Sequence, residues 1–363
     1  MKGIVVEKVK DLLSLVANEK GLDFEEVKEA FKRAIVKTAK KIIGDIDVDV
    51  ELDEKGNLKI YQNFIVVNDD RALEHPERYV YLDEAREYDD SVNIGDVVRA
   101  ELDLSKFGRS GAITLNREFE REITRLLENE IYRKLISKLN TIVSGEVVKV
   151  DNEENTWIEI YGVKGVLPRR NRIKGEKFEV GDVLKALLKY VHFDNKKGIT
   201  IELSRTSPKF LEKLIENAVP EVRDGIIKIH ASARIPGVRS KVAISSLNPK
   251  IEPVGTIIGR SGVRINAISN ELNGENIDVI EYSSKPEIYI ARALSPAIVK
   301  NVKIDEKEGV AYVEVDESEK PKAIGKNGVN ITLASMLTKY KILLQSPKEK
   351  TKDTSKLESL FKI

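Results

Sequence analysis

Hydrophobic positions in the first hundred residues follow two helical patterns and then a strand pattern. Apolar residues spaced three or four apart predict a helix over 4–18, and a second stripe predicts another helix that begins after Asp23. Residues 45–52 then alternate charged and apolar side chains, which predicts a half-buried strand. Lys55-Gly56-Asn57 predicts the turn into a second strand over 58–67. The four carboxylates on the first strand form either a metal site or a solvated face, and the pattern favours the solvated face.

Residues 112–140 contain a long charged helical pattern with no internal glycine or proline. Such a helix can act as a stiff connector or can pack as the last helix of the first lobe. After it come five short strand patterns between Ile142 and Ser204, with glycine at the bends, and these predict a small closed barrel of the OB type. An early Gly-x-Val, Val180-Gly181-Asp182 and a closing Leu203-Ser204 appear in an order that resembles the S1 RNA-binding domain.

An internal repeat is the most informative motif in the chain. Ile258-Gly259-Arg260-Ser261-Gly262-Val263-Arg264-Ile265 recurs 66 residues later as Ile324-Gly325-Lys326-Asn327-Gly328-Val329-Asn330-Ile331. Two strand-like runs precede each copy, and an apolar helix and a strand follow it. The arrangement helix–strand–strand–helix–GxxG–helix–strand resembles a tandem of KH domains.

The residues of the repeat suit contact with a nucleic-acid backbone. Paired glycines allow a sharp turn and a close approach to phosphate, and the helix that begins at each loop presents free amides and a positive dipole end. Arg260 and Lys326 add a cation at the first variable position. The candidate RNA contacts of the two loops are Gly259, Arg260, Ser261, Gly262, Arg264, Gly325, Lys326, Asn327 and Gly328. Nearby Ile258, Ile265, Ile324 and Ile331 either line a base-binding groove or belong to the core, and composition favours the core.

Composition and charge exclude several classes of protein. The chain of 363 residues has no cysteine, which excludes disulfides, a thiol nucleophile and a cysteine zinc site, and it has neither a membrane-length apolar run nor a secretory signal pattern. It lacks a G-x-x-x-x-G-K-[ST] loop, and its three histidines are far apart without ligand spacing. We therefore expect no catalytic activity, no cofactor and no metal.

The net charge of +1 hides an asymmetry along the chain. Residues 1–100 carry 16 basic and 23 acidic side chains, whereas residues 101–363 carry 45 and 37. Such a split indicates either different partners for the two halves, with nucleic acid suited to the basic half, or an ordinary solvated surface, and charge alone favours the solvated surface.

Several segments outside the loops resemble the NusA family of bacterial transcription termination and antitermination proteins. The most specific segments are Pro220-Glu221-Val222, Ala233-Arg234-Ile235-Pro236-Gly237-Val238-Arg239-Ser240-Lys241 and Val166-Leu167-Pro168-Arg169-Arg170. The resemblance implies that six further residues contact RNA, namely Arg234, Arg239, Lys241, Trp157, Arg169 and Arg170. Trp157 is equally well interpreted as a plain barrel residue. Val329 and Thr332 stand where the family usually has Gln and Arg, so the resemblance does not imply direct polar contacts from these two positions of the second KH helix.

The resemblance implies a multidomain α/β organisation. The expected segments are an α+β lobe that binds RNA polymerase (1–106), a connector helix (107–141), an S1-type OB barrel (142–204), a first KH domain (205–283), a second KH domain (284–346) and a disordered tail (347–363).

The implied function is that of a cytoplasmic, monomeric elongation factor. It would bind RNA polymerase core through the acidic lobe, bind nascent single-stranded RNA through the barrel and KH domains, and join other antitermination factors. It would modulate pausing, termination and antitermination. The alternative is an RNA-binding module of RNA decay or of ribosome assembly.

Overall fold

The computed structural model describes residues 7–53, 57–103, 107–194 and 198–346. The predicted tail and most of the predicted Lys55-Gly56-Asn57 turn lie outside these residues. The chain divides into two compact units, Met1–Lys134 and Leu135–Ile363. Among the described helices, none has the length and apolar content needed to cross a bilayer.

Two helices and a small sheet begin the N-terminal unit. The helices are α1 (Glu7–Lys20) and α2 (Phe24–Ile43). Asp23 caps α2, because its carboxylate accepts hydrogen bonds from the amides of Glu25 (2.9 Å) and Glu26 (3.2 Å). The alternating segment forms β1 (Asp47–Leu52), which pairs antiparallel with β2 (Leu58–Val67) as predicted.

The second half of this sheet comes from shorter elements. Strand β2 also pairs with two later strands, one parallel and one antiparallel. The elements in chain order are α3 (Arg71–Glu74), β3 (Tyr79–Tyr81), α4 (Leu82–Arg86) and β4 (Val97–Glu101).

The long charged helix is α5 (Gly108–Ser137). Its Ile123 is buried in one cluster with Leu13, Ala17 and Val27 of the first two helices. Phe119 meets the ring of Phe31 edge-on, with 5.3 Å between the ring centroids. Within the first unit, the helix therefore packs as part of the lobe.

The second unit begins with a closed barrel of five strands in the order β5-β6-β7-β9-β8. The strands are β5 (Ile142–Val150), β6 (Thr156–Ile160), β7 (Val163–Leu167), β8 (Val183–Asp194) and β9 (Gly198–Ser204). Val147, Ile158, Leu167 and Ile201, one from each of four strands, are buried. This closure confirms the predicted OB-type barrel.

Two α/β domains follow the barrel, which confirms the predicted KH tandem, and their element order is the same except for one extra short helix in the first domain. The first contains α6 (Pro208–Ala218), α7 (Pro220–Arg223), β10 (Ile227–Ile235), β11 (Arg239–Ser246), α8 (Pro253–Ile258), α9 (Val263–Glu271) and β12 (Asn276–Glu281). The second contains α10 (Pro286–Ala293), β13 (Val299–Asp305), β14 (Val310–Val315), α11 (Lys320–Ile324), α12 (Val329–Thr338) and β15 (Lys341–Gln345). In each sheet the central strand runs antiparallel to the first strand and parallel to the last.

The barrel and the KH domains pack directly on one another within the second unit. Ala233 and Ala243 of the first KH sheet share a buried cluster with Leu333 of α12. Between the barrel and the first KH domain, the buried Arg205 donates to the carboxylate of Glu176 (2.7 Å) and to the carbonyl of Glu271 (2.6 Å). These contacts hold the RNA-binding candidates of the unit in a defined arrangement.

Candidate nucleic-acid interface

The two GxxG loops have the same backbone conformation. Gly259 and Gly325 have φ/ψ of 76°/166° and 74°/170°, and both are followed two residues later by a left-handed residue at φ 55°. The closing glycines, at 77°/10° and 75°/8°, are left-handed as well. A side chain at this φ is strained, which explains why glycine stands at both ends of each loop.

Close packing behind each loop adds a second reason for its first glycine. A Cβ on Gly259 would lie 2.8 Å from Cγ of Arg264, and a Cβ on Gly325 would lie 2.7 Å from Cβ of Asn330. The loop backbone therefore lies directly against the helix that follows it. Helices α9 and α12 begin at Val263 and Val329, so their first amides are directed toward the loops.

The variable residues of both loops face solvent. Arg260, Ser261, Lys326 and Asn327 are exposed. Neither Arg260 nor Lys326 forms an ion pair with a residue that the structure describes. Each loop therefore presents an uncompensated cation next to a helix N-terminus, which is an arrangement suited to a phosphate group.

A cleft of about 870 Å³ lies beside the first loop and is lined by residues of the loop, α7 and α8. Of the four isoleucines of the repeat, two fit the interpretation as groove residues and two fit the interpretation as core residues. Ile258 and Ile324 are partly exposed at the loops, whereas Ile265 and Ile331 pack against the domain cores.

Arg264 is half-buried at the start of α9. Its guanidinium donates to the carbonyl of Thr256 (2.8 Å) and to Glu221 (3.2 Å). These bonds use part of its donor capacity to hold α9 against α8, and the remainder is accessible from the cleft.

The structure removes Arg234 and Lys241 from the candidate set. Arg234 is buried against Glu275, with Nε 2.8 Å from the carboxylate, and also donates to the carbonyls of Arg205 and Ser207. Lys241 is buried as well, and its ammonium donates to Asp278 (2.9 Å) and to the carbonyl of Ser295 (3.1 Å). Side chains enclosed in this way cannot reach a phosphate, so the expected RNA contacts by these two residues are wrong.

Arg239 is partly exposed but is engaged by the same carboxylate. It forms two hydrogen bonds of 2.8 and 2.9 Å with Asp278. Burial by itself raises the pKa of Asp278, but the bonds from Arg239 and Lys241 outweigh burial and hold that pKa below its usual value. Asp278 therefore stays ionised, and Arg239 is held against the sheet rather than free for RNA.

The barrel candidates lie on the outer surface. Trp157 is half-buried, and its indole N–H donates to Asp151 (3.1 Å). Arg169 and Arg170 are exposed and pair with Glu154 (3.2 Å) and Glu202 (3.4 Å). Exposed ion pairs of this kind are weak, so both arginines can exchange their partners for phosphate.

Sequence reasoning missed Tyr190, which extends the same surface. Strand register places Trp157 opposite Val166, Val166 opposite Glu202, and Glu202 opposite Tyr190, which is exposed. These four residues therefore form one row across the barrel. The pairing of distant strands defines that row, so periodicity within one strand could not have revealed it.

Sequence reasoning also missed a basic cluster on the N-terminal unit. Two residues of α5, Glu118 and Glu122, are almost fully buried, and each pairs with two cations whose side chains are 45–60% exposed. The cations are Arg33, Lys37, Lys41 and Arg121. Burial raises the pKa of Glu122, but the bonds from Lys37 and Arg33 outweigh it and leave that pKa lowered. The described part of the acidic lobe thus includes a basic face.

The fold and the two loops define the class of this protein, in which an OB-like barrel is followed by tandem KH domains. Three family models match the chain, the NusA N-terminal domain over 9–129, the NusA-like first KH domain over 205–282 and the NusA-like second KH domain over 286–352. The chain is similar to proteins named transcription termination/antitermination protein NusA. The relative from Helicobacter pylori strain J99 is 40% identical, over 98% of this chain and all of that protein.

Two further relatives of the same name show similar coverage. The protein from Thermus thermophilus is 36% identical over 90% of this chain and 87% of its own, and that from Bacillus subtilis is 32% identical over 93% and 90%. A solution structure of the N-terminal domain of NusA from B. subtilis matches 33% of this chain and 97% of its own, with 25% identity and a TM-score of 0.26. The three family models and the near full-length relatives show that the chain belongs to the NusA family, which confirms the resemblance seen in the sequence.

Proposed function

We propose that this protein is a transcription elongation factor that binds RNA polymerase and nascent RNA and modulates pausing, termination and antitermination. One observation carries the proposal. Two exposed GxxG loops, each with an unpaired cation at a helix start, occur in a chain whose near full-length relatives are named transcription termination/antitermination proteins. The loops provide a means to hold RNA, and the relatives indicate the process in which it is held.

Single-stranded RNA is the proposed ligand of residues 142–346. The amides at the starts of α9 and α12, together with Arg260 and Lys326, would hold phosphates. Exposed Ile258 and Ile324 would contact bases beside the loops, and Trp157, Arg169 and Arg170 would continue the path onto the barrel. Arg264 would contact RNA through the donors that its bonds to Thr256 and Glu221 leave accessible. Arg234, Arg239 and Lys241 instead support the first KH sheet.

The N-terminal lobe is the proposed polymerase-binding part, with 1–106 as the lobe and 107–141 as its connector helix. A chain attached to polymerase raises the effective concentration of its RNA-binding domains near the emerging transcript, so individually weak RNA contacts suffice. We propose that the protein acts as a cytoplasmic monomer, together with other antitermination factors, and catalyses no reaction of its own.

Transcription by purified bacterial RNA polymerase on a template with a hairpin-dependent pause and terminator tests this function. We expect the full chain to lengthen the pause and to raise termination at the hairpin. A variant with Asp at positions 260, 261, 326 and 327 should lose most of this effect while it still binds polymerase. Shortened transcripts in place of longer pauses would support the RNA-decay alternative, and an absence of any effect on elongation would contradict the proposal.

A further inference from the structure

The second GxxG loop contains two neighbouring residues that can react with each other. Asn327 and Gly328 form an Asn-Gly pair, which occurs twice in the sequence, whereas the matching residues of the first loop are Ser261 and Gly262. The backbone at Ser261 and Asn327 is the same, with φ/ψ of 55°/25° and 55°/26°. The two loops therefore share one shape but differ in their chemistry at this position.

The geometry of the loop explains why this pair stands there. Asparagine tolerates the left-handed region better than most residues, and the closing position, at φ 75°, favours glycine. The same pair is chemically labile, because a glycine after asparagine has no side chain to hinder the approach of its amide nitrogen to the carboxamide. The backbone that this turn needs thus favours a reactive sequence.

The side chain of Asn327 is accessible for such a reaction. It is exposed, and its carboxamide makes no hydrogen bond with a residue that the structure describes. Apart from the chain neighbours, no atom lies within 4 Å of the point that a Cβ on Gly328 would occupy, so this side of the loop is open to water. Asn330, by contrast, is buried and donates three hydrogen bonds.

One contact restrains the pair while the loop is closed. The amide of Gly328 donates to the carbonyl of Gly325 over 3.1 Å, which holds the nitrogen in the turn. Attack on the carboxamide requires that this bond opens first. The two residues between the glycines are exposed, so little packing opposes a local opening of the loop.

We propose that Asn327 is a site of spontaneous deamidation, and that the reaction ends the role of the second loop as an RNA contact. Hydroxide removes the amide proton of Gly328, and the nitrogen forms a bond to Cγ of Asn327. The bond from Cγ to Nδ2 breaks, and ammonia leaves with a proton taken from water, which regenerates hydroxide. Water then opens the resulting succinimide ring at either of its carbonyl carbons, which gives aspartate or isoaspartate at position 327. One water is consumed and one ammonia is released, and nothing is oxidised or reduced.

Both products should prevent phosphate binding at this loop. The new carboxylate lies next to Lys326 and repels a phosphate. Isoaspartate also lengthens the main chain, which then runs through the side-chain carbon, and the tight turn must change its shape. The inference rests on the proposed function in this respect, because a loss of RNA affinity presupposes that the loop holds RNA. Ser261 has no carboxamide, so the first loop cannot undergo the reaction.

Peptide mass mapping of the full chain tests the modification. The protein is incubated in mildly alkaline buffer, with and without single-stranded RNA. We expect the peptide that contains Asn327 to change from amide to acid at a rate proportional to hydroxide concentration, and bound RNA to slow the change because it holds the loop closed. Asn273-Gly274 is an internal control, since Asn273 is exposed, has φ 60° and lies at the opposite end of α9 from the first loop. RNA should leave its rate unchanged.

Three variants connect the modification to RNA affinity. Asn327→Asp, which has the sequence of one product, should bind single-stranded RNA about threefold more weakly at low salt and less so at high salt, because screening weakens the repulsion. Asn273→Asp makes the same change in charge and should match wild type. Asn327→Ser gives the second loop the residue of the first. It should keep its affinity during incubation, whereas wild type loses affinity as position 327 is modified.

The outcomes separate this inference from the proposed function. An Asn327 that stays amidated while a free peptide of the same loop sequence reacts would overturn the inference. A fully modified chain that binds RNA as tightly as fresh protein would overturn it as well. If Asn327→Asp loses its fold, the comparison of aged wild type with aged Asn327→Ser still decides. A fresh wild-type chain that binds no RNA would instead overturn the proposed function, while the masses would still show whether Asn327 reacts.

Discussion

The two KH domains form the same GxxG loop, but a different side chain supports each loop from behind, Arg264 in the first domain and Asn330 in the second. The backbone angles at Gly259, Ser261 and Gly262 differ by at most 4° from those at the matching positions of the second loop. Behind the first loop, the half-buried Arg264 bonds to Thr256 and Glu221, whereas behind the second loop the buried Asn330 donates to the carbonyls of Leu294, Lys322 and Ala323. The position two residues after the loop can therefore hold either a long cation or a short amide.

The interiors of the two domains differ in the same way. Ion pairs hold the first domain: Arg234 and Glu275 are both fully buried, and the buried Lys241 pairs with the partly buried Asp278. Among the described residues of 286–346, the buried polar side chains are Asn330 and Thr338, and the rest of the core is apolar. Loop conformation thus depends on glycine and on helix geometry close in sequence, while the rest of the domain is free to use different interactions.

Removal of Glu275 should have the largest effect. Glu275→Ala leaves the Arg234 guanidinium buried without its carboxylate, and we expect the free energy of unfolding of the first KH domain to fall by about 3–5 kcal/mol. Glu281→Ala is the control, because its pair with Arg292 is exposed and should change stability by less than about 1 kcal/mol. Urea unfolding measures both. Unchanged stability would contradict the structural role of the pair, and tighter RNA binding by an equally stable variant would restore Arg234 as an RNA contact.

Alanine at the position behind each loop should lower the free energy of unfolding by different amounts in the two domains. Asn330→Ala leaves buried carbonyls without a donor at the ends of α10 and α11, and we expect a loss of about 1–3 kcal/mol. Arg264→Ala should cost less than about 1 kcal/mol, because water can replace its bonds in the open cleft. Thermal unfolding of the full chain measures the difference. Equal losses of stability in the two variants would contradict the expectation that the buried Asn330 contributes more than the half-buried Arg264.

Aspartate in the loops tests the function that the loops share. Arg260→Asp with Ser261→Asp, or Lys326→Asp with Asn327→Asp, places negative charge where a phosphate would sit. We expect affinity for single-stranded RNA to fall about tenfold for each pair, which corresponds to about 1.4 kcal/mol. Lys307→Asp with Asn301→Asp is a matched control on the exposed surface of the second KH domain. Dichroism should show an intact fold, and wild-type affinity in an intact loop variant would mean that the loops only connect helices.

Single alanines in the loops should give the smallest effect. Lys326→Ala or Arg260→Ala removes one phosphate contact, so the slope of log K against log salt should become shallower by about 0.7. Titrations of single-stranded RNA at several salt concentrations measure this slope. Lys307→Ala should leave it unchanged. A change for Arg260 alone would show that only the first loop holds a phosphate.

Much of the fold was predictable from sequence because its signals are local. The alternation over 45–52 indicated β1, and glycine-bounded runs between Ile142 and Ser204 indicated the barrel strands. The repeated Ile-Gly-x-x-Gly predicted both loops, because backbone conformation there depends on glycine and on the adjacent helix start. The exposure of Arg260 and Lys326 follows from the same geometry.

Tertiary structure alone decided which of the remaining charged and aromatic residues are accessible. Arg234 lies 41 residues before Glu275, and Lys241 lies 37 residues before Asp278. Nothing near either cation along the chain indicates that it is buried, since burial depends on what the folded sheet and helices bring together. The row from Trp157 to Tyr190 exists only after distant strands pair, and the basic cluster around Glu118 and Glu122 exists only after α2 and α5 pack together. Residues close together in the chain set the local backbone of the candidate site, whereas long-range packing sets which side chains are accessible there.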